Sequence, residues 1–299
     1  MKDIEIVFNF LVYIILNYFG YSLIVIFQFF FIDYFPFIYH ITQLFFSNIC
    51  LYLQVKIHLV NNYVIDTTVI NNKTNKIENQ KTKEKVIIGE NVPIYNINSI
   101  PNNSCNICKI EKLPLRSHHC EICNKCVKCF DHHCRILAGC IGESNRLLFI
   151  LFLFFQNCSI DFSLIPIIIL LSRQRNEKIL YLLTFCFSFL CLFSIIFKFI
   201  FIYHSYLFFT NQTNYELINE DKCFYITYLN TEKKRFMKQI NDDNKYRPFD
   251  LGIKDNLLLY FNQIMSEEKK DINWEEIYFD NLKNKNYRKK NDYIFDNIQ

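Results

Sequence analysis

No charged residue occurs between Ile6 and Ile32, or between Tyr34 and Val55; Asp33 and Pro36 fall at the junction. Each run can cross a bilayer, which takes about 20 mostly apolar residues. The pattern predicts two membrane helices joined by a tight hairpin. A cleaved signal sequence fits less well, because its apolar core spans only about 7–15 residues and here a second run follows at once. Leu147 to Ser172 is a third apolar run, broken only by Asp161 and Pro166. Ile179 to Phe197 is a fourth, which continues past Lys198 to Phe209. Val60 to Arg146 is polar, and its first part, with Lys73, Lys76, Lys81, Lys83 and Lys85, reads as a solvated linker. Residues after Phe209 are polar and charged, and read as a soluble tail.

The expected fold class is an α-helical polytopic membrane protein with four transmembrane helices. Its expected parts are membrane helices 1 and 2 within 1–59, a cytosolic linker over 60–100, and a cysteine-rich domain over 101–146. Membrane helices 3 and 4 follow within 147–209, and a cytosolic C-terminal region within 210–299. Composition agrees, with 51% hydrophobic and 17% aromatic residues. A net charge of +4 is too mild to point to a nucleic-acid partner. The loop between the first two runs has no Lys or Arg, whereas the 60–146 loop and the tail have many. The positive-inside rule therefore puts both termini and the 60–146 loop in the cytosol. Arg173, Arg175 and Lys178, in the short loop between runs three and four, pull the other way.

Eight of the 13 cysteines fall between Cys105 and Cys140, with four of the seven histidines. In a reducing compartment such a cluster binds metal rather than forming disulfides. The spacings Cys105-x2-Cys108, Cys120-x2-Cys123 and Cys123-x2-Cys126 are those with which zinc knuckles present two sulfurs to one ion. His118, His119, His132, His133 and Cys140 add candidate ligands, enough for two closed four-ligand sites that would supply folding energy. Two such sites leave Cys134 over, beside His132 and Asp131. A neighbouring imidazole favours the thiolate, and an acidic residue orients the imidazole. Spacing alone also admits Cys134 as a spare ligand or a buried thiol.

The stretch CNICKIEKLPLRSHHCEICNKCVKCFDHHCRILAGCIGESNRLLF resembles the cysteine-rich domain of the Asp-His-His-Cys (DHHC) palmitoyltransferases. These are four-span enzymes with that domain between spans two and three. After span four, Thr213-Asn214-Tyr215-Glu216 resembles their Thr-Thr-x-Glu motif, preceded by a similar aromatic stretch, YHSYLFF. RPFDLGIKDN, Arg247 to Asn256, is similar to their C-terminal segment that ends in a structural Asn. The resemblance implies one zinc on Cys105, Cys108, His119 and Cys126, and another on Cys120, Cys123, His133 and Cys140. It implies Cys134 as the acylated nucleophile, His132 as base and Asp131 as its orienter. It further implies acyl transfer from a long-chain acyl-CoA, by way of Cys134, to cytosolic cysteines of membrane-associated proteins. The expected location is a multi-pass protein of the ER, Golgi or plasma membrane.

Four departures stand out. Arg135-Ile136 replaces the usual Pro-Trp after the nucleophile, and the Cys108–His119 interval is one residue longer, at Leu113-Pro114. Asn214 stands for the second Thr, and Arg247 for an Asn. None removes a ligand or a member of the triad. Arg135 reads either as a side chain turned to water or anionic lipid head groups, or as a cation that meets a phosphate of acyl-CoA. Cys50, Cys158, Cys186 and Cys191 read as packing residues, Cys129 and Cys223 are unassigned, and Asp161 is an ionisable group near mid-membrane with no evident partner. The rival readings are a zinc-stabilised membrane adaptor without catalysis, and a metal sensor or transporter, whose coordination would be open.

Overall fold

The structure, a computed structural model, describes residues 37–60, 62–64, 104–223, 225–226, 247–265, 271–278 and 280–281, together with residues 8 and 11. The first expected span, Ile6–Ile32, lies outside the described residues apart from Phe8 and Leu11, which are helical. Over the second, expected across Tyr34–Val55, the chain forms helix α1, Phe37–Leu59, which is not among the two described helices long and apolar enough to cross a membrane. The apolar run holds the helix together, and Lys56 and His58 in its last turn oppose the negative end of its dipole.

The third and fourth runs form helices α2, Arg146–Arg173, and α3, Glu177–Phe209. Both are long and apolar enough to cross a membrane. Only Gln174–Asn176 separates them, and the Asn176 side chain caps α3 by accepting from the backbone N–H groups of Lys178 and Ile179. A core helix of a water-soluble protein hides its apolar surface. Instead α3 buries only Leu183, Ser194, Leu207 and Phe208, and exposes Tyr181, Phe185, Phe199 and Ile202. Such a surface is at home against lipid.

Polar contacts tie the helices together where apolar packing would not distinguish partners. Pro166 lies inside α2, has no N–H, and so leaves the Phe162 carbonyl without its helical donor. The Tyr39 hydroxyl of α1 donates to that carbonyl at 3.0 Å. Gln43 of α1 donates to the Ser159 carbonyl and to the hydroxyls of Ser159 and Ser163. Asp161 has a partner: the Lys198 ammonium of α3 lies 2.5 Å from its Oδ1, and Ser194 donates to the same oxygen at 2.9 Å. Asp161 sits fifteen residues beyond Arg146, about 22 Å along the helix at 1.5 Å per residue.

Two small antiparallel hairpins follow α1: β1 (His118–Cys120) with β2 (Lys125–Val127), and β3 (His132–Cys134) with β4 (Gly139–Ile141). The polar stretch after α1 is not linker from its start. The Lys128 N–H donates to the Asn62 carbonyl, and the Val64 N–H to the Cys126 carbonyl, so residues 62–64 lie along β2. The cysteine-rich domain is thereby held within a few residues of the end of α1. Gly142 is required where β4 passes the 127–128 backbone, because a Cβ there would lie 2.6 Å from the Lys128 carbonyl oxygen. Asn145 joins all three parts: its Oδ1 accepts from the Gly142 N–H, and its Nδ2 donates to the carbonyls of Cys140 and Ile57, the latter in the last turn of α1.

Beyond α3 come the short helix α4, Asn214–Ile218, and helix α5, Ile253–Met265. The described residues of the soluble tail pack against the cysteine-rich domain. Arg116, fully buried, makes a two-pronged ion pair with Glu216, at 2.7 and 2.8 Å. Its guanidinium lies between the rings of Phe249 and Trp274, at 4.1 and 4.3 Å. Glu143 accepts from Trp274 Nε1, Gln263 Nε2 and the Ile272 N–H. Asn256, wholly buried, donates to the Phe209 carbonyl at the end of α3 and accepts from the Leu251 N–H.

Candidate active site

The two expected ligand groups are each brought together. The ligating atoms of Cys105, Cys108, His119 and Cys126 lie within 4.8 Å of one another, as do those of Cys120, Cys123, His133 and Cys140. Tetrahedral zinc bonds of about 2.3 Å to sulfur and about 2.0 Å to nitrogen imply sulfur–nitrogen edges of about 3.6 Å. His119 Nδ1 lies 3.6, 3.2 and 3.9 Å from the sulfurs of Cys105, Cys108 and Cys126. His133 Nδ1 lies 3.8, 3.4 and 3.6 Å from those of Cys120, Cys123 and Cys140. None of the thirteen cysteines is in a disulfide. The donors therefore fit a metal ion in each group.

The hairpins explain the fit. His119 faces Cys126 across the first, and His133 faces Cys140 across the second. Lys109 and Asn124, each directly after a Cys-x2-Cys pair, take positive φ of 56° and 49°, which closes the knuckle. The N–H groups of Cys108 and Cys123 donate to the sulfurs of Cys105 and Cys120. His118 is in neither group and stacks on Tyr215, with ring centroids 4.0 Å apart.

Side chains alternate across a strand. With His133 turned to its sulfurs, His132 and Cys134 share the opposite face of β3. His132 Nδ1 lies 2.7 Å from Asp131 Oδ2. Burial disfavours the His132 imidazolium, but Asp131 and Cys134 outweigh it, and its pKa is raised to about 9. Burial also works against the Asp131 carboxylate, yet His132 and Arg146 hold it well below the usual carboxylate range.

Asp131 is 2% exposed and held from several sides. Its Oδ1 accepts from the Asn214 backbone N–H at 2.8 Å, and its carbonyl accepts from the Tyr215 N–H at 3.1 Å. The Thr213–Glu216 segment can dock in this way because Thr213 and Glu216 form a capping box that opens α4. The contact from residue 214 to Asp131 is made by backbone, so Asn in place of Thr preserves it. Two neighbours of Asp131 were not singled out from sequence: Arg146 at 3.8 Å, and His204 of α3 at 3.7 Å. His204 is marked in the sequence only as a member of the YHSYLFF stretch.

Cys134 packs in a buried cluster with Cys50, Leu53 and Ile57 of α1 and Phe149, Phe152 and Leu153 of α2; Phe197, Ile200 and Phe201 of α3 border it. The thiol thus sits where a cysteine-rich domain meets three long apolar helices. Arg135 and Ile136, both exposed, start the turn from Cys134 to Gly139.

Residues 98–221 match the family model described as DHHC palmitoyltransferase. Over those residues the chain is similar to that family. It is 30% identical over 192 residues to the putative ZDHHC-type palmitoyltransferase 7 of Dictyostelium discoideum, covering 58% of this chain and 42% of that protein. It is 29% identical over 154 residues to the probable protein S-acyltransferase 3 of Arabidopsis thaliana, covering 49% of this chain and 35% of that protein. To the palmitoyltransferase swf1 of Schizosaccharomyces pombe it is 53% identical over 51 residues, 17% of this chain and 14% of that protein. The chain thus spans less than half the length of these relatives. The matched DHHC segment runs from the start of the cysteine-rich domain through both membrane-length helices to α4.

Proposed function

We propose that the chain is a protein S-acyltransferase that carries a long-chain acyl group, of the palmitoyl class, on Cys134. The observation that carries this reading is the Asp131–His132 hydrogen bond of 2.7 Å beside the strand that holds Cys134, which with Cys129 is one of two cysteines between Cys105 and Cys140 outside both metal-ligand groups. The Cys134 thiolate attacks the thioester carbonyl of acyl-CoA. The carbon–sulfur bond to CoA breaks, and the His132 imidazolium protonates the departing CoA sulfur. In the second half, neutral His132 takes the proton of a substrate cysteine, whose sulfur attacks the acyl-enzyme and releases Cys134 as thiolate. Asp131 orients His132 and stabilises its charged form.

Zinc is the metal that suits thiolate and imidazole sets of this spacing, two ions per chain, with a structural role. The apolar walls around Cys134 suit an acyl chain that stays in the bilayer, and Arg135 suits a CoA phosphate by charge-assisted hydrogen bonds. We read the protein as four-spanning, with the divisions 1–59, 60–100, 101–146, 147–209 and 210–299. The cysteine-rich domain and both termini are cytosolic, in an endomembrane or plasma membrane. Its protein substrates are membrane-associated and present cytosolic cysteines. An adaptor without catalysis gives no reason for a complete Asp131–His132–Cys134 set. The purified protein should take up a hydroxylamine-sensitive label from palmitoyl-CoA, and Cys134→Ser should not; equal labelling of the two would refute the assignment.

A further inference from the structure

The DHHC triad accounts for three side chains at the centre, yet a fourth polar group reaches it from the membrane. His204 lies in α3, five residues before the helix ends at Phe209, and its side chain is 13% exposed. Its Nδ1 is 3.7 Å from Asp131 Oδ2, the same oxygen that His132 engages at 2.7 Å. Its ring centroid is 5.0 Å from that of His132 and 5.0 Å from that of Phe149, while Phe149 and His132 are 5.3 Å apart. Phe149 comes from α2 and His204 from α3, so the ring of His132 is bracketed by one side chain from each membrane-length helix. An apolar residue in place of His204 could fill the same space, but it would set carbon against a buried carboxylate oxygen.

We propose that His204 is a positioning residue of this centre: through Asp131 Oδ2 and the three-ring contact, it fixes the carboxylate and the imidazole plane that Cys134 needs. The proposal rests on the acyltransferase reading. It assigns the site a contribution from α3 that the Asp-His-His-Cys segment does not contain. Asp131, His132 and His204 also bring three potential ligand atoms within 4.8 Å of one another. A metal ion there is disfavoured by the Arg146 guanidinium, 3.8 Å from Asp131 Oδ1, and by the Asn214 N–H already bound to that oxygen.

The test uses the full chain in lipid nanodiscs, with the rate of acyl-enzyme formation measured across palmitoyl-CoA concentrations. Wild type, His204→Gln and His204→Phe are compared, and zinc content reports folding. Gln keeps a polar atom towards Asp131, whereas Phe keeps a ring. Loss of a group that orients a reacting one costs roughly ten-fold or more. His204→Phe should therefore lower the saturating rate by about that factor, with the half-saturating concentration unchanged and zinc retained. His204→Gln should keep several times the Phe variant's rate. A Phe variant as fast as the Gln variant, or rates that fall only in step with zinc content, would overturn the proposal. Failure of wild type to acylate at Cys134 would instead sink the reading beneath it.

Discussion

At the scale of single residues, the site depends on one strand separating two jobs. His133 turns towards Cys120, Cys123 and Cys140, while His132, its neighbour, turns with Cys134 to the other face. Cys134→Ser should therefore leave metal content unchanged, whereas Cys123→Ser should lower metal content and folded yield together. Metal analysis of the purified variants checks this, and metal loss in Cys134→Ser would make that cysteine a ligand. Arg135 opens the turn after Cys134, where a CoA phosphate would approach. A charge-assisted hydrogen bond contributes about 1.5–3 kcal/mol. Arg135→Ala should raise the palmitoyl-CoA concentration for half-maximal acylation by about ten-fold or more. A saturation curve that overlays wild type would leave Arg135 outside the substrate contact. The Cys-x2-Cys pairs are legible in the sequence because their spacing is short and local, whereas the division of the donors into two sets rests on the resemblance. His204 was not, since nothing in an apolar stretch says which polar residue will meet Asp131.

At the scale of elements, the segments after α3 are fastened to the domain by buried charge. Arg116 and Glu216 are 0% and 2% exposed, and the Tyr225 hydroxyl also donates to Glu216. Removing one partner of a buried pair strands the other, at a cost of about 3–5 kcal/mol. Glu216→Ala should lose about that much stability in denaturant unfolding. Trp274, the chain's only tryptophan, packs on Arg116, so its fluorescence should shift towards that of exposed indole in the same variant. Burial works against the Glu216 carboxylate, but Arg116 holds its pKa below the ordinary value. The contribution is thus present above the unfolded pKa of about 4.3 and is lost as pH falls through the depressed folded value. Acid titration followed at Trp274 should show the clamp releasing only below the usual glutamate range; release near neutral pH would contradict it. The sequence marks this region as soluble but does not show its contacts, because Arg116 and Glu143 have partners a hundred or more residues away.

At the scale of the whole molecule, the hydrophobic pattern gave α1, α2 and α3 to within a few residues, since a long uncharged run has few other folded uses. It could not name the partner of Asp161, because helix facing is set by packing rather than by length. With Lys198 at 2.5 Å, the two charges should depend on each other inside the apolar region. Asp161→Leu and Lys198→Leu should each destabilise the detergent-solubilised protein more than the double replacement does, and thermal unfolding of the three variants tests this. Additive losses would mean that the pair is not coupled. The central claim is that these helices and the cysteine-rich domain together hold one acyl-carrying thiol. Peptide mass spectrometry of the intact protein after brief exposure to palmitoyl-CoA tests it most directly. A palmitoyl adduct is expected on Cys134 that neutral hydroxylamine removes, with zinc retained; an adduct confined to other cysteines, with Cys134 unmodified, would contradict the assignment.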